Sequence, residues 1–287
     1  MPSVPARDAS TPAGAPAPTG EAGAVRRTIV RLREGSARHE EDWIAAEIPV
    51  ALHYNGQPHV VMMATPADLE DFALGFSLSE AVIADAAELQ AVAVEPLLEG
   101  IEVAMTVPAA RAEAVAARQR NLTGRSSCGL CGTQALEDVV RHPPPVGVGP
   151  VVDTAAVQRA LAALAAAQPV NALSGATHAA AWADPAGALL LVREDVGRHN
   201  ALDKLIGAMA RARLDAGSGF LVVTSRASYE MVQKAATVGI TLMVAISAPT
   251  ALAIHLADSA GLTLIGFARR DGQAVYTHPH RITVSEP

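Results

Sequence analysis

Two cysteines, Cys128 and Cys131, carry the strongest chemical signal in this chain. They are the only cysteines in the sequence and lie in the run Gly124-Arg125-Ser126-Ser127-Cys128-Gly129-Leu130-Cys131-Gly132. Buried cysteines sit among apolar neighbours; these sit among small, flexible residues, as in a solvent-reachable loop. Exposed thiols oxidise and capture stray metal, so keeping a pair of them has a chemical cost. Arg125 adds nearby positive charge, and a helix is predicted over Thr133 to Val140, starting just after the pair. Both favour the thiolate, which is the reactive form.

Several chemistries compete for such a pair. A structural disulfide is one. A structural zinc site needs four ligands, and one CxxC supplies two, so two chains would have to pool their pairs. A thioredoxin-like redox site needs the pair at a strand end, opening the first helix of a βαβ unit; here a Gly- and Ser-rich loop precedes it. A zinc deaminase needs H-x-E and then P-C-x-x-C. His39-Glu40-Glu41 matches the first half far upstream, but Ser127 stands in the proline's place, which rejects that chemistry. A thiolate that carries sulfur or attacks an electrophile fits the loop best.

The elements that must position this chemistry are legible in part. Half of the 287 residues are hydrophobic and only 3% are aromatic, so the core is built from Ala, Val, Leu and Ile. The formal net charge of −7 argues against a general nucleic-acid binder. A CxxC as the only cysteine content suggests a reducing compartment, the cytoplasm. Residues 1–24, rich in Pro, Ala, Gly, Ser and Thr, read as a disordered tail. Arg26-Arg27 is not followed by the apolar run of a secretory signal. Ala235 to Ala257 carries no formal charge, but Pro249, Ser247, Thr250 and His255 break it, so no membrane span is expected.

Residues 25–141 read as an N-terminal α+β part ending in the cysteine loop and its helix. Strands are expected over Glu47–Leu52 and His59–Ala64 around the Asn55-Gly56 turn, then over Leu89–Val94 and Ile101–Val107. Thr65 and Pro66 suit the N-cap and first position of a helix reaching Ala81, with Asp68 as capping partner. Arg111–Arg120 is helical, and His142–Pro150 is a linker or long surface loop. Residues 151–287 form an α/β part. Strands over Leu189–Arg193, Phe220–Thr224, Thr241–Ile246 and Leu262–Phe267 alternate with helices over Val196–Ala212, Ser228–Val238 and Pro249–Ala260. Uninterrupted aliphatic strands between helices predict a mostly parallel sheet with helices on both faces.

Ligands of such sheets bind beyond the carboxyl ends of the strands. Those ends carry Glu194-Asp195-Val196-Gly197-Arg198-His199, Thr224-Ser225-Arg226, Ser247-Ala248-Pro249-Thr250 and Phe267-Ala268-Arg269-Arg270-Asp271-Gly272. Hydroxyls, arginines and helix N-termini gathered at one edge favour an anion such as phosphate. Ser225 and Ser247 taken singly read as N-caps, and the arginines as solvated charges. The block Arg193 to Lys204 is dense in ionisable groups. Its His199 and Asp203 are spaced to share a helix face, which suits either acid–base work or a structural ion network. His178 reads as a strand-edge histidine with a packing role.

The cysteine loop, the Arg193-to-Lys204 block, Thr224 to Val232, Ser247 to Thr250 and Tyr276-Thr277-His278-Pro279 together resemble the FdhD family, from about Glu47 to Ile282. The resemblance implies an accessory sulfurtransferase required for formate dehydrogenase activity. It implies sulfur taken from a cysteine desulfurase as a persulfide, with Cys128 its carrier, and passed to the molybdenum of the bis(molybdopterin guanine dinucleotide) cofactor, bound as substrate. It further implies a homodimer whose fold is similar to the cytidine deaminase-like three-layer α/β sandwich, without a metal of its own. The family's cofactor-binding stretch falls on Phe267 to Gly272, which the sheet-edge reading reaches as a phosphate site. Ala81 stands where the family usually has glycine, and His280 where glutamate usually precedes the Arg-Ile pair. The rival reading is a molybdenum-cofactor-binding chaperone without sulfur chemistry.

Overall fold

The computed structural model describes residues 23–123 and 142–284, with backbone alone for 118–123. Cys128, Cys131, Arg125 and the helix expected over Thr133 to Val140 lie outside the described residues.

The described chain opens on an antiparallel hairpin, β1 (Ala24–Arg33) and β2 (Ser36–Ala45), which no sequence signal announced. Ala24, read as the last residue of a tail, is the buried first residue of β1. Next come β3 (Ile48–Tyr54) and β4 (Gln57–Ala64), joined by Asn55 and Gly56 at φ 49° and 75°. Two successive left-handed residues make the tight turn that Asn-Gly favours. Then follow α1 (Leu69–Ser79), β5 (Ala91–Leu97), β6 (Gly100–Thr106) and α2 (Ala109–Thr123). The four strands order as β4-β3-β6-β5. Their inner face packs Val50, Leu52, Val103 and Met105 against Phe72, Ala73 and Phe76 of α1.

Helix α1 begins at Leu69, after Asp68 in the left-handed region with no side-chain cap. Thr65 is not its cap, because the tertiary fold uses all of its polar atoms. Its N–H donates to Asp195 (3.0 Å), its hydroxyl accepts from the Val196 N–H (3.1 Å), and its carbonyl accepts from Lys204 Nζ (2.9 Å). The far end closes with Ala81 at φ 54°, its N–H donating to the Leu78 carbonyl (3.0 Å) and the Val82 N–H to the Ser77 carbonyl (2.8 Å). This Schellman closure puts the left-handed residue where glycine is ordinarily found.

The second half contains β7 (Val152–Asp153), α3 (Thr154–Ala166), α4 (Pro169–Ser174), β8 (His178–Ala183) and β9 (Leu189–Asp195). It continues with α5 (Arg198–Arg211), β10 (Phe220–Val223), α6 (Tyr229–Thr237), β11 (Leu242–Ala245), α7 (Ala251–Ala260), β12 (Thr263–Arg269), β13 (Gly272–Val275) and β14 (Ile282–Thr283). The six-stranded sheet orders as β13-β12-β11-β10-β8-β9.

The expected mostly parallel sheet is therefore corrected to a mixed one. Only β10–β11 and β11–β12 are parallel; β12–β13, β10–β8 and β8–β9 are antiparallel. The cause is β8, an alanine-rich strand that turns back into β9 through Asp184 to Ala188 instead of entering a helix. It slots between β9 and β10 and reverses both pairings. Strands β9, β10, β11 and β12 still point the same way, so their carboxyl ends share one edge.

The strand residues alternate between two cores. Leu221, Val223, Met243 and Leu264 face α5, α6 and α7. Phe220, Val222, Leu242 and Ile265 face Val157, Ala160 and Leu164 of α3. Helix α1 packs on α5 so closely that a Cβ on Gly75 would overlap the Asp203 carbonyl, and one on Gly207 the Asp71 carbonyl. Glycine at both crossing points lets the backbones touch and joins the two halves. The stretch Ala235 to Ala257 spans the end of α6, β11 and most of α7; no described helix is long and apolar enough to cross a membrane.

Candidate functional site

The carboxyl edge of the large sheet brings together most of the residues expected to bind an anion. At the end of β10, the Thr224 N–H donates to the Ala179 carbonyl (3.0 Å) and its hydroxyl accepts from the Ala179 N–H (2.9 Å). His178 Nδ1 lies 3.5 Å from that hydroxyl, so this histidine opens β8 at the edge itself. Ser225 is buried and donates to the Arg226 carbonyl (3.0 Å), while Arg226 is exposed. Neither Ser225 nor Ser247 caps a helix. Ser228 stands at the N-cap of α6, with its hydroxyl buried and without a partner among the described residues, and Thr250 caps α7 by accepting from the Ala253 N–H. The two strand-to-helix connections are tied side by side: Ala227 bridges Pro249, and the Thr250 N–H donates to the Ala227 carbonyl (3.0 Å).

Beside them the Ser247 carbonyl accepts from the Phe267 N–H (3.2 Å). Phe267 has φ 49° and is 47% exposed, at a bulge between Gly266 and Arg269. A bulky residue in the left-handed region is strained by about 1–2 kcal/mol. An exposed aromatic ring held there is a mark of binding surfaces rather than of packing. The Ala268 side chain points the other way, into the α3-side core. Arg269 pairs with Gly272 across the turn Arg270-Asp271, and both arginines are exposed. Thr224, Ser225, Arg226, Ser247 and, apart from the Ala268 side chain, Phe267 to Gly272 thus line one edge: the α6 N-terminus without a side-chain cap, arginine charge unpaired among the described residues and an aromatic face. That combination suits a phosphorylated ligand with a flat ring.

Beneath the edge lie charges that the sequence did not pair. Asp195 and Lys204 are fully buried, 2.7 Å apart. Asp195 also accepts from the N–H groups of Thr65 and Gly197 and from Asn200 Nδ2. Burial pushes the Lys204 ammonium below its ordinary value despite Asp195. Glu194 accepts from the Val170 and Asn171 N–H groups and from the Thr177 hydroxyl, fastening α4. Asp203 is buried and takes hydrogen bonds from Ser79 (2.6 Å) and Lys234 (2.9 Å). Burial alone would lower Lys234, but Asp203 and Glu80 outweigh it and hold the ammonium above its usual range.

The pairing of His199 with Asp203 is not made. Asp203 belongs to the ion network under α1, and His199 Nε2 stands 2.8 Å from Glu230 Oε2, at the start of α6. The partners Thr65, Ser79, Glu230 and Lys234 all come from distant positions, so no local spacing could reveal them; only the density of charge over Arg193 to Lys204 hinted at a network. Among the described residues no three His, Cys, Asp or Glu side chains gather as a metal site requires.

Comparison with known proteins gives consistent results. The model of the FdhD/NarQ family matches residues 45–283. The chain is 57% identical over 278 residues to the sulfur carrier protein FdhD of Xanthomonas campestris pv. campestris, covering 96% of this chain and 99% of that protein. It is 50% identical over 251 residues to the sulfur carrier protein FdhD of Variovorax paradoxus, covering 88% and 90%. A crystal structure from Desulfotalea psychrophila, of a protein described as a formate dehydrogenase accessory protein, aligns with TM-score 0.71 at 23% identity, over 91% of this chain and all of that one. That likeness shows the shared mixed α/β fold.

Proposed function

Since the chain belongs to the FdhD/NarQ family, we propose that it is a sulfurtransferase serving formate dehydrogenase. In this reading the Cys128 thiolate attacks the outer sulfur of a cysteine desulfurase persulfide. The donor leaves as its thiolate, and a persulfide forms on Cys128. The Cys131 thiolate then attacks Cys128 Sγ, the S–S bond of the persulfide breaks, a Cys128–Cys131 disulfide forms, and the outer sulfur leaves with the electron pair as sulfide for the bis(molybdopterin guanine dinucleotide) held as substrate at the carboxyl edge. The observation that carries the reading is the Cys128/Cys131 pair in a chain so similar over its length to proteins named as sulfur carriers.

Supporting the cofactor's place are the exposed Arg226, Arg269 and Arg270, which suit guanine dinucleotide phosphates, and the strained, exposed Phe267. The same reading takes the molecule as a cytoplasmic homodimer, and the helices on both faces of the sheet as layering of the cytidine deaminase-like kind. Mass spectrometry after incubation with a cysteine desulfurase and cysteine tests it: one sulfur should be gained at Cys128. Formate dehydrogenase that is fully active in cells carrying only the Cys128→Ala protein would sink the carrier reading and leave a cofactor chaperone.

A further inference from the structure

The β1–β2 hairpin has no part in the chemistry proposed above, and it lies before residue 45, where the match to the family model begins. Its two strands pair with no other strand among the described residues, and its root rests on α4. A two-stranded ribbon is marginal in water by itself; a third strand is what ordinarily steadies it. Strand β1 carries Arg26, Arg27, Arg31 and Arg33 and no acidic residue, while the acids of the hairpin, Glu34, Glu40, Glu41 and Asp42, lie in the turn and on β2. Side chains alternate between faces, so Arg27, Arg31 and Arg33 share one face with Arg38 of β2, which stands directly opposite Arg31. Like charges so placed repel. Glu40 and Asp42 answer Arg31; Arg27, Arg33 and Arg38 are exposed and have no carboxylate partner among the described residues. The opposite face is apolar toward the tip, with Val30, Ala37 and Leu32, the last 74% exposed.

The root of the hairpin stands at the β9 flank of the carboxyl edge. Gly23 packs on Thr65 and Val170, so closely that a Cβ there would overlap Thr65. The N–H groups of Thr65 and Val170 donate to Asp195 and Glu194, the last residues of β9. A protein that receives a cofactor held along that edge has to come against the same face of the molecule. A second copy of this chain makes a poor third strand. Strand β1 beside another β1 sets arginines against arginines, and β2 beside another β2 sets Glu40, Glu41 and Asp42 against their own copies. Strand β1 beside β2 of a copy matches in charge but is a head-to-tail contact, which a two-fold dimer does not contain. We propose that the hairpin is a docking arm for the client, formate dehydrogenase, and that an acidic, extended segment of that protein lies along the open edge of β1 as a third strand. Its main chain meets the N–H and C=O groups that β1 leaves open, its carboxylates meet Arg27, Arg33 and Arg38, and its apolar side chains cover Val30 and Leu32.

The arm rests on the proposed service to formate dehydrogenase, and its test separates the two. The full-length protein is titrated by biolayer interferometry against formate dehydrogenase purified without its cofactor. Sulfur uptake from a cysteine desulfurase and cysteine is read by mass spectrometry, and oligomeric state by light scattering. The parent should bind the client, and more weakly as salt rises, because exposed charges are screened. The protein carrying Arg27→Glu, Arg33→Glu and Arg38→Glu should bind at least about tenfold more weakly and lose most of that salt dependence. It should load with sulfur like the parent and keep the parent's oligomeric state. Arg27→Lys, Arg33→Lys and Arg38→Lys together keep the charge and should keep salt-dependent binding. A parent that does not bind the client, or a charge-reversed protein that binds with the parent's affinity, overturns the arm. Client binding that persists while sulfur uptake falls overturns it too and gives the hairpin to the sulfur donor; a changed oligomeric state gives it to a second copy and overturns it equally. A parent that binds the client through these arginines but takes up no sulfur overturns the carrier reading and leaves the arm standing.

Discussion

Replacing Lys204 with Met tests how far the buried ion pair, to which Thr65 of the first half is hydrogen-bonded, holds the two halves of the molecule together. Lys204 Nζ is fully buried, 2.7 Å from Asp195 and 2.9 Å from the Thr65 carbonyl. Methionine fills nearly the same volume, so the change is one of charge rather than of packing. Breaking a buried pair by removing one partner costs roughly 3–5 kcal/mol, because the other charge is left buried. Three N–H donors, from Thr65, Gly197 and Asn200, still reach Asp195, which favours the lower end of that range. The Thr65 carbonyl loses a donor as well, adding on the order of 1 kcal/mol. A total of about 4 kcal/mol follows, a large share of the roughly 5–15 kcal/mol that holds a typical protein folded. In urea, with a slope of about 3 kcal/mol per molar, the midpoint should fall by about 1.3 M. A fall below about 0.3 M, or about 1 kcal/mol, would refute the reasoning and show that the α1–α5 crossing suffices by itself.

Three further outcomes are expected. Ala81→Gly should stabilise the protein by about 1 kcal/mol in denaturant titration, because Ala81 sits at φ 54° in a helix closure that glycine enters without strain. His178 and His199 are both held below the ordinary histidine value of 6.5, first by burial. The unfolded chain thus binds more protons in the window beneath 6.5. Stability present above that pH is lost as pH falls through the lowered folded values, and the melting temperature should drop accordingly. The variant carrying His178→Gln and His199→Gln should flatten that slope. Arg269→Ala and Arg270→Ala should each weaken GDP binding by roughly 1.5–3 kcal/mol in calorimetry; parent-like binding in both would move the phosphate site elsewhere.

Much of the frame was legible because it rests on local chemistry. The Asn55-Gly56 turn is announced by the only residues that enter two left-handed positions cheaply. The aliphatic runs of β10, β11 and β12 followed by amphipathic helices could be little else than strands of a covered sheet. The ends of those strands could then be named, and with them Thr224, Ser225, Arg226, Ser247 and Phe267. The family departure at Ala81 was visible as a letter, while its meaning, a left-handed helix closure, needed backbone angles.

What the sequence determined by itself, then, was the CxxC pair, the strand–helix alternation and the residues at the carboxyl ends, since each depends on neighbours within a few positions. Tertiary structure decided the rest. Strand β8 reverses between β9 and β10 because pairing partners are chosen across the sheet and not along the chain. Thr65 gave up capping α1 because a buried carboxylate, an amide N–H and an ammonium from the second half claimed its polar atoms. His199 turned to Glu230 and Asp203 to Lys234 because buried charge takes whichever partner the packing brings within reach, and these partners lie some 30 positions away. Helical spacing could place His199 and Asp203 on one face; it could not say which other element would press against that face first.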